Sequence, residues 1–392
     1  MENIVYVNTL NRYRYLTCPV RNDAPLELSF NFKKLTYWWC FNSNDIITLE
    51  NLIDEITYLN AYLIIDFSQD PIGISDFKDF LNSTPKVKNV PKDKIIIISP
   101  RFTRSFYDLS QYTLNMVVPL IKSEYTYKHI FFNSLFRLTK FQYTKHEKGK
   151  EPVPPPKKKN PEKHFLCLSY RDAIPRQIIN SLFHKHGLFE NNLITHNRVK
   201  EGKVEDDIVI FNRVKGIFGF TDSFNLKTFL RWGFLKHTID TPEDKINATH
   251  SYKLHHDLST KVCFEIVHET CITQNNIFIT EKTLKAILSK NVFFIVGNPF
   301  SLVWLKKLGF KTFSDIIDES YDDERNFHER SLLIMKEVRR LCSLSVGSLH
   351  EKLSSLDNIL DYNYNHLLNN EWDFDISHNI ESHLDGYNDK KF

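Results

Sequence analysis

Glycine is scarce, with 11 residues in a chain of 392. Neither a G-x-x-x-x-G-K-[ST] phosphate loop nor a G-x-G-x-x-G dinucleotide turn occurs, which argues against a nucleotide cradled by glycine. The six cysteines (Cys18, Cys40, Cys167, Cys263, Cys271, Cys342) form no C-x-x-C pair. Cys40, Cys167 and Cys263 lie in apolar runs and read as buried, reduced thiols. The 16 histidines include His255-His256 and His184-x-His186, without the carboxylates that would complete a metal set. The clear Asp-x-Asp, Asp373-Phe374-Asp375, sits in the C-terminal tail with no strand before it, unlike the metal-holding pair of a single-domain transferase. No run reaches the roughly 18 apolar residues of a membrane span. The opening MENIVYVNTLNRY has no basic stretch leading into an apolar one. The expectation is a soluble, cytoplasmic protein. Net charge is only +3, which excludes a whole-molecule commitment to nucleic acid or anionic membrane but leaves room for a local basic stretch.

What is present suits two domains. Apolar residues make up 42 % of the chain and aromatics 14 %, enough for sizeable cores. In the N-terminal part, 4–7, 62–67 (YLIIDF) and 94–99 (KIIIIS) read as strands. Leu49, Leu52, Ile53 and Ile56 recur at helical spacing between the first two. Strands alternating with helices imply a parallel sheet. The aromatic run 35–41 (LTYWWCF) fits neither period. Ligands of open parallel sheets sit beyond the carboxyl ends of the strands. Asp66 and Asp70 follow the apolar YLII run, as Ser99 and Arg101 follow IIII, so Asp66 or Asp70 is placed to act as a general base.

Residues 145–163 (KHEKGKEPVPPPKKKNPEK) are the sharpest punctuation. Pro154-Pro155-Pro156 favours an extended polyproline segment, and the lysines around it keep it solvated. It reads as a linker or long surface loop, with Lys157-Lys158-Lys159 as the rival polybasic contact for DNA phosphates or anionic lipid.

Beyond it, 165–169 (FLCLS) reads as a strand. A helix then begins near Pro175, with Ile178, Ile179, Leu182 and Phe183 on its apolar face. Arg171 and Arg176 flank that helix start, where two guanidinium groups suit a diphosphate. Residues 207–211 (DIVIF) resemble a strand, and 212–260 carry no clear pattern. The stretch 263–322 organises the rest. Residues 264–267 read as a strand opening at His268-Glu269. Thr280 caps a helix with apolar Leu284, Ile287 and Leu288. A buried strand follows over 292–296, then a Gly297-Asn298-Pro299 turn and a helix over 301–308 closed by Gly309. Lys282 in the first helical turn opposes the helix dipole by roughly 0.3–1 kcal/mol unless an anion binds there. Further helices are expected over 322–341 and 349–368, and the tail from Trp372 is acidic and polar.

The run Phe278-Ile279-Thr280-Glu281-Lys282, followed by a helix, an apolar strand and Gly297, resembles the Tyr-x-Thr-Glu-Lys donor-site signature of the α1,3-fucosyltransferase family. That resemblance implies that Glu281 holds the donor ribose and Lys282 the diphosphate. Phe278 stands where the family has Tyr, so a hydrogen bond from that hydroxyl is lacking and the nucleotide base is left open. A longer similarity, over about residues 163–335, is to glycosyltransferase-like proteins of bacteria and their phages. It runs from His268-Glu269-Thr270 through GNPFSLVWLKKLGFKTFSDIIDESYD and brings Glu269 into the donor-site set. The strand before Arg171 and Arg176 is similar to the first strand of those donor domains, where an Arg meets the phosphates.

The expectation is therefore an α/β protein with two Rossmann-like domains facing a cleft, as in GT-B glycosyltransferases. Residues 1–144 would form an acceptor-side domain, 145–163 a linker, 164–345 the donor domain, and 346–392 a C-terminal helix and tail. The implied reaction is inverting transfer of a sugar from a nucleotide-diphosphate donor to a hydroxyl, with no obligatory metal or other cofactor. A surface glycan is the expected acceptor and hydroxymethylated DNA the alternative. A non-catalytic nucleotide-sugar-binding or assembly protein is the reading from a different class.

Overall fold

A computed structural model describes residues 4–8, 35–39, 62–66, 85–91, 95–99, 128–131, 136, 160–169, 174–189, 191–196, 256–270 and 277–370. The chain is α/β and built on parallel sheets. It divides into two compact units, Met1–Leu138 with Glu371–Phe392, and Thr139–Asn370. Among the described residues no helix is long and apolar enough to cross a membrane.

The first unit carries five strands: β1 (Ile4–Asn8), β2 (Leu35–Trp39), β3 (Tyr62–Asp66), β4 (Ile95–Ser99) and β5 (Lys128–Phe131). Every pairing is parallel, in the order β2-β1-β3-β4-β5. The sequences IVYV, YLII and IIII are unbroken apolar rows of the kind parallel strands carry. The run at 35–41, which fits no period, supplies β2. Its Thr, Tyr and Trp residues favour strands by bulk rather than by alternation. The expected helix around 49–56 lies outside the described residues. A short 3₁₀ turn, Pro85–Asn89, buries Val87 ahead of β4.

The second unit carries β6 (Lys163–Ser169), β7 (Leu193–His196), β8 (Val262–His268) and β9 (Val292–Val296), all parallel, in the order β7-β6-β8-β9. Helix α1 (Ile174–Lys185) connects β6 to β7 in one direction across the sheet. A four-residue helix, α2 (His256–Ser259), leads into β8, and α3 (Glu281–Leu288) connects β8 to β9 in the other direction. Right-handed crossovers in opposite directions put α1 and α3 on opposite faces. On the α1 face, Phe165 of β6 meets Phe183 of α1 with ring centroids 5.2 Å apart, and Phe264 at 5.5 Å. Phe264 then meets Phe294 of β9 edge-on at 5.6 Å. Ile178, Ile179, Leu182 and Phe183 are all buried, as the helical spacing requires. Each such side chain contributes about 1.5–3 kcal/mol of transfer free energy.

Residues 145–159 lie outside the described residues, but Lys163, placed in the linker by its composition, is the first residue of β6. Glu162 N–H donates to Lys261 O at 2.8 Å, which starts the β6–β8 alignment.

After β9 come α4 (Ser301–Lys307), α5 (Phe327–Cys342), α6 (Val346–Ser354) and α7 (Asp357–Asn369). Helix α5 packs on α1 and β9, α6 on β6 and β8, and α7 on α3, so both faces of the sheet are covered. Cys263 Sγ donates to Val346 O at 3.6 Å and His164 Nε2 to Leu344 O at 2.8 Å, which pins α6 from the sheet side. Gly309 closes α4 with a φ of +89°, and Phe310 N–H returns to Leu305 O at 3.0 Å.

Two expected helices are redrawn. The helix read as starting at Asp322 begins at Phe327, because Asn326 Oδ1 caps His328 N and Glu329 N. Residues 319–322 instead form a 3₁₀ turn. The helix read over 349–368 is two helices. Ser354 and Ser355 turn their hydroxyls back onto Glu351 O and Lys352 O, and Leu356 is buried in the break.

Candidate functional site

The strand order of the second sheet reverses between β6 and β8, which makes the carboxyl ends of these two strands the natural ligand edge. Phe165 lies opposite Phe264 in register, so the last residues of the two strands, Ser169 and His268, come side by side. Ser169 Oγ and His268 Nδ1 share a hydrogen bond, and Cys167 Sγ lies 3.9 Å from the same ring nitrogen. All three side chains are buried. Burial pushes the Cys167 thiol up to about 12, against the opposing pulls of Ser169 and Arg176, so it is a neutral thiol and a poor nucleophile.

Glu269 is the first residue beyond β8, and its N–H donates to Val296 O at 3.0 Å. Its side chain is buried and turns toward the start of α3. There Oε1 accepts from Thr280 N–H at 2.9 Å and from the Thr283 hydroxyl at 2.6 Å, while Oε2 accepts from the Thr280 hydroxyl at 2.5 Å. A buried carboxylate is tolerable only when it is hydrogen-bonded in this way, and at a helix start it also meets the positive end of the dipole. Gly297 lies beside it: a Cβ on Gly297 would be in ordinary contact with Glu269 Cβ at 3.5 Å but only 3.0 Å from Ile295 Cγ2.

Thr280 caps α3 from extended backbone (φ −108°, ψ 179°), its Oγ1 accepting from Lys282 N–H at 3.3 Å. Lys282 Nζ doubles back to the same oxygen at 3.2 Å and to Glu281 Oε1 at 2.9 Å. Successive helix residues do not normally face one another. The ammonium has been drawn over the helix mouth, with 28 % of the Lys282 side chain and 18 % of the Glu281 side chain still exposed. Burial pushes the Glu281 carboxyl up, but the Lys282 charge and hydrogen bond, helped by Lys285, leave it below the usual carboxylate range. Burial lowers Lys285 to about 8, with Glu281 and Glu265 pulling it up and Lys282 pushing it down. The helix mouth thus presents one cation and one carboxylate to solvent, an acceptor for ligand hydroxyls beside a donor for a ligand anion.

The other candidate residues distribute as follows. Phe278 is buried between buried Ile277 and Ile279, so its side chain belongs to the core at the α3 entrance. Arg176 is buried in the first turn of α1. Asp66 is the last residue of β3 in the first unit, beside Asn8 and Ile98 in register. Arg171 and Asp70 lie outside the described residues. The Ser169–His268 pair, Thr283 and Lys285 were not singled out from the sequence. Thr283 had a signal, since Thr280 and Thr283 are three apart and share one side of the helix start. Ser169 and His268, 99 residues apart, had none before the strands were aligned. Among the described residues no group of three or more His, Cys, Asp or Glu is arranged to hold a metal ion. Comparison of the chain with protein-family models, with curated proteins and with solved structures finds no match.

Proposed function

We propose that this chain is a glycosyltransferase that binds a nucleotide-diphosphate sugar at the carboxyl edge of the second sheet, in a GT-B-like arrangement of two Rossmann-like domains facing a cleft. The observation that carries the reading is the Thr280-Glu281-Lys282 helix mouth, where a partly exposed Lys282–Glu281 ion pair, 2.9 Å across, sits at a switch-point edge. The fucosyltransferase-like signature falls on those residues and supports the same assignment.

In this reading Lys282, with Arg171 and Arg176, neutralises the charge that builds on the departing diphosphate. Glu281 accepts hydrogen bonds from donor hydroxyls. Asp66 or Asp70 takes the proton from the acceptor hydroxyl as the acceptor oxygen bonds to the anomeric carbon. The bond from that carbon to the phosphate oxygen breaks in line, so the anomeric configuration inverts and the nucleoside diphosphate leaves. The acceptor is a surface glycan, with hydroxymethylated DNA as the alternative that the Lys157-Lys158-Lys159 run would serve. A base inside a duplex would first have to be flipped out.

A thermal-shift screen against nucleotide sugars tests the donor reading. A true donor at 100 times its dissociation constant stabilises the fold by about 2.7 kcal/mol. Absence of a shift with every common nucleotide sugar sinks the reading. A shift without transfer, retained in Asp66→Asn and Asp70→Asn, favours the non-catalytic binding protein.

A further inference from the structure

Glu269 does not present its carboxylate to solvent. Both oxygens are filled by Thr280 and Thr283, at 2.5–2.9 Å, and the side chain is buried. The direction of these bonds matters. A carboxylate has no proton to give, so the Thr280 hydroxyl must donate to Glu269 Oε2. That commits its proton, and the lone pairs of Thr280 Oγ1 are left for Lys282 N–H at 3.3 Å and Lys282 Nζ at 3.2 Å. The order of donors and acceptors therefore runs from the end of β8, through one hydroxyl, to the ammonium at the helix mouth.

We infer that Glu269 is a positioning residue: by taking the Thr280 hydroxyl proton, it makes Thr280 Oγ1 an acceptor that holds the Lys282 ammonium where a diphosphate would meet it. This rests on the donor reading above. Glutamine at 269 keeps the shape but breaks the order. Its carbonyl must face Thr280 N–H and the Thr283 hydroxyl, which turns the carboxamide N–H₂ toward Thr280 Oγ1. The Thr280 hydroxyl then has to accept from Gln, so its proton turns toward Lys282 and repels the ammonium.

The test is a double-mutant cycle on nucleotide affinity, measured by calorimetric titration with whichever of UDP, GDP, ADP and CDP binds the wild type tightest. Melting curves confirm that each variant is folded at the titration temperature. Lys282→Ala is expected to weaken binding about 10–100-fold. Glu269→Gln is expected to weaken it at least about fivefold in the wild-type background and by less than about twofold in the Lys282→Ala background. Equal weakening in both backgrounds overturns the positioning role, because Glu269 then acts on the ligand or the scaffold without Lys282. Unchanged affinity in Glu269→Gln overturns it too. Unchanged affinity in Lys282→Ala, or no binding of any of the four nucleotides to the wild type, removes the donor reading and the positioning role together. Should Glu269→Gln fail to fold, Thr280→Val carries the same test, since it deletes the relaying hydroxyl and leaves Glu269 its bonds from Thr280 N–H and Thr283.

Discussion

Of the helices that start at the carboxyl edge of the second sheet, α3 and α4 are each met by a buried carboxylate from elsewhere in the chain. At α3 the carboxylate is Glu269, which receives one amide and two hydroxyls. At α4 it is Asp322, whose Oδ2 receives the first-turn amides of Leu302 at 2.9 Å and Val303 at 3.2 Å. The electrostatic logic is shared, since both carboxylates sit at the positive end of a helix. The outcome differs. Glu269 is bonded to hydroxyls, of which that of Thr280 also meets the partly exposed Lys282–Glu281 pair. Asp322 takes the amides directly, behind Phe300, which holds a left-handed φ of +66° and donates its own N–H to Asp322 O at 2.7 Å. One helix start ends in a partly exposed ion pair, the other is closed into the turn after β9.

The largest effect should come from removing the sealed carboxylate. Asp322→Ala leaves the first-turn amides of Leu302 and Val303 without their acceptor. It should cost about 3–5 kcal/mol of stability in denaturant unfolding. A loss under about 1 kcal/mol would mean that the α4 start is not held by this carboxylate, and the comparison would fail.

Next in size is a pH dependence. Burial raises Asp322 from the ordinary 3.8 to about 7, although the Leu302 and Val303 amides and Arg330 pull it down. The folded protein therefore keeps a proton that the unfolded chain releases near 3.8. This group's contribution to stability is fully present below that value, falls as pH rises, and is lost by about pH 7. Between those limits the fall should be on the order of 2–4 kcal/mol. Asp322→Asn keeps an acceptor and cannot titrate, so its stability should lack this component. Parallel pH slopes for the wild type and Asp322→Asn would refute the assignment.

If the α3 start binds the proposed donor, the opposite pattern is expected there. Lys282→Ala should weaken nucleotide-sugar binding by about 1.5–3 kcal/mol. The apo protein should melt at about the same temperature, because relief at the helix start offsets the lost pair with Glu281. Lower apo stability with unchanged affinity would make Lys282 a scaffold residue like those around α4.

The smallest expected effect lies between the two helix starts. Gly297→Ala would set a Cβ 3.0 Å from Ile295 Cγ2 and 3.1 Å from Ser301 Oγ. Both neighbours are side-chain atoms that can shift, so the cost should be about 1 kcal/mol. Wild-type stability in that variant would show that the strand end tolerates more volume than its packing implies.

Much of the second unit was legible before any tertiary information. VFFIV and FLCLS are strands because an apolar row can be buried on both sides. Thr280 caps α3 and Gly309 closes α4 because those backbone demands are local. The aromatic run that became β2 was opaque, since bulky side chains without alternation carry no period. The start of α5 was misplaced because the acidic residues before it suit a helix start in general, while Asn326 makes the cap and Asp322 is engaged 20 residues back at Leu302.

The sequence by itself determined where apolar rows and helix ends fall, because burial period and capping are set by residues within a turn or two of one another. It also set Glu281 and Lys282 in one helical turn behind a Thr cap. Only the tertiary structure decided which charges are spent inside. Ser169 meets His268 through strand register, Glu269 reaches Thr280 and Thr283, 11 and 14 residues on, and Asp322 reaches back to α4. These pairings have no local signature. They exist because parallel strands bring distant chain ends to one edge, where each buried polar group must find a partner.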